Sequence, residues 1–347
     1  MKRIFFTLFI VLESCNVFFG SRLLDVISLS EDSNECVTRN IPSSRVILFG
    51  ENHYMNDENN DIKIGIITNA LKKDDTLKIL IEAGHAEAYL MNKYLNIGDT
   101  QIINNGCYNS EYLYDLNTYL ISFLKNNNKE IVYYGIDYER NSAYTLFALS
   151  VLLENMPDSL FKNISKNEIR NSCEYLPGKK KEVISYIFSI FKNNESLFRI
   201  LLKNEFHDFK NILISYNKYE RKEILSKHQF NIERENWLYN SIIRHEKMDN
   251  FQILVFLGSA HCSYSRIFKK FDSVAMMLKS SNVNIFSIHL CYNTNKPLFL
   301  QKKLGFSDKL YSDLFSHYQT DHLIYVSTEC SMLLNKIYYH YCPVNFK

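Results

Sequence analysis

The chain has 347 residues, 46% of them hydrophobic and 22% charged. That globular balance excludes a chain disordered throughout, a collagen-like repeat and a coiled coil. Lys and Arg total 40 against 38 Asp and Glu, for a net charge of +2, so no basic excess exists to drive non-specific binding to nucleic acid. With only 10 Gly and 5 Pro a turn-rich all-β sandwich is disfavoured, and at about 150 residues per domain the length suits one large or two ordinary domains.

Met1-Lys2-Arg3 is a short basic segment, followed from Ile4 to Leu12 by an apolar stretch. It is too short to span a bilayer and of the right length for the core of a signal peptide. Leu12-Glu13-Ser14-Cys15 then resembles the lipobox of bacterial lipoproteins, in which the Cys becomes the acylated first residue; Glu13 departs from the small or apolar residue usual at its place. Residues 1–20 are therefore expected to be a lipoprotein-like signal peptide, and 21–44 a polar tether. The protein would be exported, as a membrane lipoprotein held through Cys15 or as a periplasmic or secreted protein, with a retained anchor as the further alternative. The eight cysteines are scattered and include no C-x-x-C pair, which excludes a zinc ribbon, a thioredoxin-like site and covalent haem attachment.

From Arg45 the chain alternates. Residues 45–49, 77–81, 131–134, 251–257 and 283–289 read as buried strands. Residues 58–72, 85–95, 110–125, 141–155 and 264–279 carry apolar residues at helical spacing. Between 156 and 250 the strand signal disappears, and the pattern predicts a helical insertion or cap ending in a long helix over 217–247. Residues 322–327 and 336–341 could add edge strands. The predicted fold is α/β: a mostly parallel sheet with helices on both faces, its core formed by 45–155 and 251–347 and interrupted by the insertion.

Four predicted strands run directly into polar groups: Gly50-Glu51-Asn52-His53, Glu82, Gly135-Ile136-Asp137 and Gly258-Ser259-Ala260-His261. In an open parallel sheet, ligands bind beyond the carboxyl ends of the strands, so these residues are expected to converge on one crevice with Asp137 at its rim. Gly50 and Gly258 would let the chain turn sharply off a buried strand. Arg234 stands four residues before Leu238 and eight before Ile242, on the inward face of the long helix, where a guanidinium needs a carboxylate from Glu51, Glu82 or Asp137. Each residue has a plainer reading: Glu51 as a cap, His53 as a loop residue, Glu82 and His261 as helix-start groups, Asp137 as a turn residue, Arg234 as a structural ion pair. His85 and Glu87 are expected to be solvated, and Phe206, Tyr216, Tyr219 and Trp237 either line a pocket or pack as core.

These motifs resemble the Tiki/ChaN/TraB superfamily, which includes the erythromycin esterases. The resemblance covers roughly residues 42–290 and rests on the two G-x-x-H segments, the strand-end Glu82, Asp137, and Arg234-Glu235-Asn236-Trp237-Leu238, which is similar to the Arg-Asp-x-x-Met helix of the esterases. It implies an α/β core with helical insertions. Within the superfamily the Tiki branch comprises metal-dependent proteases, the esterase branch hydrolyses macrolide lactones, and the ChaN branch binds haem. The esterases usually space Glu and His as G-E-x-x-H, whereas here only Asn52 separates Glu51 from His53, a spacing closer to Tiki and ChaN.

The expected activity is hydrolysis of an ester, lactone or amide bond in a small-molecule or peptide substrate. In the metal-free form His53 is the general base, Glu51 or Glu82 orients it, His261 protonates the leaving group, and Arg234 stabilises developing negative charge. In the metal form His53, His261 and one or both of Glu51 and Glu82 hold Zn²⁺ or Mn²⁺. The alternative is a lipid-anchored, ChaN-like protein that binds haem or iron without catalysis.

Overall fold

The computed structural model describes residues 45–51, 56–98, 120–161, 164–171, 176–248, 252–262, 267, 270–292, 322–327 and 339–344. The signal-peptide, Cys15 and tether expectations, His53, and most of the predicted helix over 110–125 lie outside them. The described chain is an α/β fold. Its elements in order are β1 (Val46–Glu51), α1 (Asn56–Lys73), β2 (Thr76–Ile81), α2 (His85–Ile97), β3 (Glu130–Gly135), α3 (Ser142–Leu153), α4 (Lys166–Asn171), α5 (Pro177–Asn193), α6 (Glu195–Leu202), α7 (Phe206–Glu220), α8 (Lys227–Met248), β4 (Ile253–Gly258), α9 (Val274–Ser280), β5 (Ile285–Tyr292), β6 (His322–Ser327) and β7 (Tyr339–Val344). Among the described residues no helix is long and apolar enough to cross a membrane.

The chain divides into two compact units. In the one built from 56–64 and 74–256, β2 pairs in parallel with β3 on one side and with β4 on the other. Parallel neighbours need a crossover connection; α2 makes it between β2 and β3. Every residue of β4 is buried, as a strand covered on both faces requires. The same unit holds α2–α8. The core of its helical part is an aromatic cluster: Phe191 of α5, Phe198 of α6, and Phe206 and Phe209 of α7, with ring centroids 5.1–6.2 Å apart. Phe206 and Tyr216 are thus core residues.

In the other unit, β1 pairs in parallel with β5, and β6 and β7 follow antiparallel. This unit also takes residues 65–73 of α1, the end of β4 from Leu257, and α9. Both expected strands form, but the first, β6, is paired on both sides and only β7 lies at the edge, three residues later than the pattern predicted.

The long helix expected over 217–247 is two helices. After α7 a single 3₁₀ turn, Arg221–Glu223, intervenes, and α8 starts afresh. Ser226 and Gln229 form a reciprocal cap: Gln229 N–H donates to Ser226 Oγ at 3.3 Å and Ser226 N–H donates to Gln229 Oε1 at 3.1 Å. This S-x-x-Q box is a helix-start signal visible in the sequence, and it outweighs the continuous apolar period across the break. The helix expected over 264–279 is described only as α9, which starts at Val274 because the Ser273 side chain accepts the N–H of Met276.

Candidate active site

In the unit holding β2 and β3, the turns that leave the two strands are zipped together. Ile136 N–H donates to the Ile81 carbonyl at 3.1 Å, and Asp137 N–H donates to the Ala83 carbonyl at 3.0 Å. A Cβ on Gly135 would lie 2.2 Å from the Gly84 carbonyl oxygen, so only glycine permits this backbone-on-backbone approach. The zip sets Glu82 and Asp137 side by side beyond the carboxyl ends of their strands. Arg234, from α8, binds both. Its Nε donates to Asp137 Oδ1 at 2.9 Å, and its Nη2 donates to Asp137 Oδ2 at 2.6 Å and to Glu82 Oε1. Arg140 Nη2 lies 2.7 Å from Asp137 Oδ2 and 3.5 Å from Glu82 Oε1. Burial by itself would lower the pKa of Arg234, but Asp137 and then Glu82 outweigh it and raise the value further, so the guanidinium stays charged.

Two expectations change here. Asp137 is not at a rim: its side chain is wholly buried, and its Oδ1 also accepts the Tyr138 N–H at 2.8 Å. Arg234 lies on the inward face as the helical period predicts, but it is clamped bidentately on Asp137 and acts as a fixed positive charge. Arg140, whose side chain is 47% exposed, is the guanidinium of this centre with access from solvent.

Four further groups surround these residues. Glu139 is buried. Its Oε1 accepts the Ala86 N–H of α2 at 3.0 Å and the Ser215 hydroxyl of α7 at 3.2 Å, and its Oε2 lies 3.4 Å from Thr145 Oγ1 of α3. Lys63 of α1 is buried with its Nζ over the Phe256 ring. Glu87 and His85, expected to be solvated, are half-buried in the first turn of α2. Burial pushes the Glu87 carboxyl up to about 7 against the pull of Arg140 and Lys63. Burial pushes the His85 imidazole down to about 4, reinforced by the charges of His245 and Arg244, so His85 is neutral at pH 7. Sequence reasoning passed over Arg140 and Glu139, although the run Asp137-Tyr138-Glu139-Arg140 sets three charges directly behind a buried strand.

In the other unit Glu51 ends β1 and is mostly buried. Its carbonyl accepts both the N–H and the hydroxyl of Ser259, at 2.9 and 3.1 Å, which ties the segment after β4 to the end of β1. His261, equally buried, is held in a turn: its N–H donates to the Gly258 carbonyl, and its own carbonyl accepts the Ala275 N–H of α9. The structure thus brings Glu51 and His261 to neighbouring strand ends within one unit, and Glu82, Asp137 and Arg234 into direct contact within the other. His53 lies outside the described residues. Among the described residues no three His, Cys, Asp or Glu side chains are grouped so as to hold a metal ion.

No protein-family model and no curated protein matches the chain. Solved structures do. A mutant of the erythromycin esterase EreC in its open conformation matches with a TM-score of 0.50 and 13% identity, over 84% of each chain. A Bacillus cereus protein matches with a TM-score of 0.48 and 13% identity, over 75% of this chain and 71% of its own. The haem-binding protein ChaN of Campylobacter jejuni matches with a TM-score of 0.35 and 14% identity, over 75% of this chain and 86% of its own. At these identities the likeness concerns the fold alone.

Proposed function

We propose that the chain is a hydrolase of the erythromycin-esterase and ChaN superfamily, cleaving an ester, lactone or amide bond in a small-molecule or peptide substrate. The observation that carries this reading is the centre of Glu82, Asp137, Arg234 and Arg140: two carboxylates and two guanidiniums at the carboxyl ends of parallel strands, where α/β sheets bind their ligands. Arg234 fixes the two carboxylates in place. Arg140, reachable from solvent, binds an anionic group of the substrate or a carbonyl oxygen that gains negative charge. Proton transfer falls to imidazole, with His53 as the base and His261 as the acid.

A panel of simple esters, macrolactones and amides, assayed with and without chelator, tests this. Turnover is expected, with kcat/KM lowered by roughly 10²-fold or more in His53→Ala and in His261→Ala at unchanged melting temperature, and with KM raised in Arg140→Ala. Inactivity of the wild-type chain towards all three classes, or full turnover in both histidine variants, would end the reading. Chelator-sensitive turnover restored by Zn²⁺ or Mn²⁺ would select the metal form of the reaction.

We also propose, from Met1–Cys15, that the chain is exported and lipid-anchored. In a bacterial host it should incorporate labelled fatty acid and partition with membranes, and Cys15→Ser should lose both properties. A variant that keeps the label refutes the anchor.

A further inference from the structure

We propose that Glu139 is a positioning residue of the Glu82–Asp137 centre: held as a neutral carboxylic acid, it pins the turn carrying Glu82 against the loop carrying Asp137 and Arg140. The inference deepens the hydrolase reading, and its kinetic arm rests on that reading.

The geometry argues for the neutral form. Glu139 sits two residues from Asp137 on the same loop, yet the two carboxyl groups are served differently. Asp137 is met by two guanidiniums. Glu139 is met by the backbone N–H groups of Ala86 and His85 and by two hydroxyls, none of them charged. A buried carboxylate without a cation is costly, and the ordinary remedy is to keep its proton. The hydroxyl inventory agrees. Thr145 has one hydroxyl proton, which has a partner in the Asn141 carbonyl at 2.9 Å. An oxygen lone pair of Thr145 is then left to face Glu139 Oε2, where an acid proton is the donor that completes the bond. Of the charged groups, Glu87 faces Glu139 from α2, α3 and α7 present Thr145 and Ser215, and His85 contributes its backbone N–H. Burial, opposed by the Ala86 and Ser215 bonds and aided by Glu87, pushes the carboxyl up to about 8.

The position explains what the acid does. A Cβ on Gly84 would lie 2.1 Å from Glu139 Oε2, so the carboxyl rests directly on the turn between Glu82 and α2. Its bond to Ala86 N–H fastens that turn to the start of α2, and its contacts with Thr145 and Ser215 fasten the loop to α3 and α7. Ionisation would place an uncompensated charge there and strain the turn that presents Glu82. Because the folded-state pKa lies above the unfolded one, the stability Glu139 contributes is complete below its ordinary value of 4.5 and is lost as pH rises through about 8.

The test compares the full chain with Glu139→Gln, whose amide oxygen accepts from Ala86 and Ser215 and whose NH₂ donates to Thr145. Difference infrared spectra should show the carbonyl stretch of a protonated carboxylic acid in the wild type, lost with a midpoint near pH 8 and absent from Glu139→Gln. On a substrate of the wild-type enzyme, kcat should fall by up to roughly 10²-fold on the same alkaline limb at unchanged KM, while Glu139→Gln should stay level across it. Glu87, pushed up to about 7, contributes its own band to both proteins, so the component with the higher midpoint is the diagnostic one: a wild type without it, the same component in Glu139→Gln, or an alkaline limb shared by both proteins would each overturn the proposal. A wild type that hydrolyses nothing overturns the hydrolase reading instead, and the infrared band then decides on Glu139 alone.

Discussion

Arg234→Met is expected to destabilise the protein by about 3–5 kcal/mol, because breaking a buried ion pair from one side strands the other charge. Here two buried carboxylates lose their shared partner, Asp137 with no exposure and Glu82 with 6%, and Arg140 remains as a half-exposed neighbour. At about 2–4 °C per kcal/mol for units of this size, the melting temperature should drop by roughly 10 °C at pH 7. The gap between variant and wild type should narrow towards acid pH, where the stranded carboxylates take up protons and the penalty disappears. Arg234→Lys keeps a charge but loses the two-pronged bond to Asp137, so it should fall between the two. Calorimetry at neutral and acid pH decides. A loss under about 1 kcal/mol, or one that grows on acidification, would mean that Arg234 does not neutralise this centre.

Gly135→Ala should cost about 3 kcal/mol, the upper end of what overpacking usually costs. The new methyl would lie 2.2 Å from the Gly84 carbonyl oxygen, 2.4 Å from its carbon and 2.7 Å from the His85 nitrogen. All three are backbone atoms, so no side chain can rotate away and the turns after β2 and β3 must separate. Hydrogen exchange should locate the damage: the amides of Ile136 and Asp137, which bond across those turns, should lose protection first. Gly178→Ala serves as the control. Nothing lies within 4 Å of its Cβ position, and it sits in the first turn of α5, where alanine is the better helix former; it should be neutral or mildly stabilising. Equal effects in the two variants would show that the close approach at Gly135 is not what constrains it.

Much of this protein was legible in the chain. The strands at 46–51, 76–81, 130–135 and 253–258 are short apolar runs, and such runs have few options except to be buried as strands. The spacing of Arg234, Leu238 and Ile242 alone placed Arg234 on the inward face of its helix, since a period of 3.6 residues is a property of the sequence. The S-x-x-Q cap that divides the expected long helix was equally visible, but it competed with an apolar period that ran through it, and only the capping hydrogen bonds show which prevailed.

What the sequence determined by itself was the alternation of strands and helices, the mostly parallel sheet, and the presence of ionisable residues at strand ends, because each follows from hydrophobic period and local turn chemistry. Which of those charges meet was decided by the tertiary structure alone. Arg234 and Asp137 are 97 positions apart in the chain, and no local pattern selects Asp137 over Glu51 as the carboxylate that clamps it. The same holds for the burial of Asp137, the neutral surroundings of Glu139 and the exposure of Arg140: three residues within one four-residue run receive different environments, because α8 supplies the partner of Asp137, α2, α3 and α7 those of Glu139, and Arg140 is left half open to solvent. Desolvation and pairing depend on distance in space, and chain order carries no measure of that.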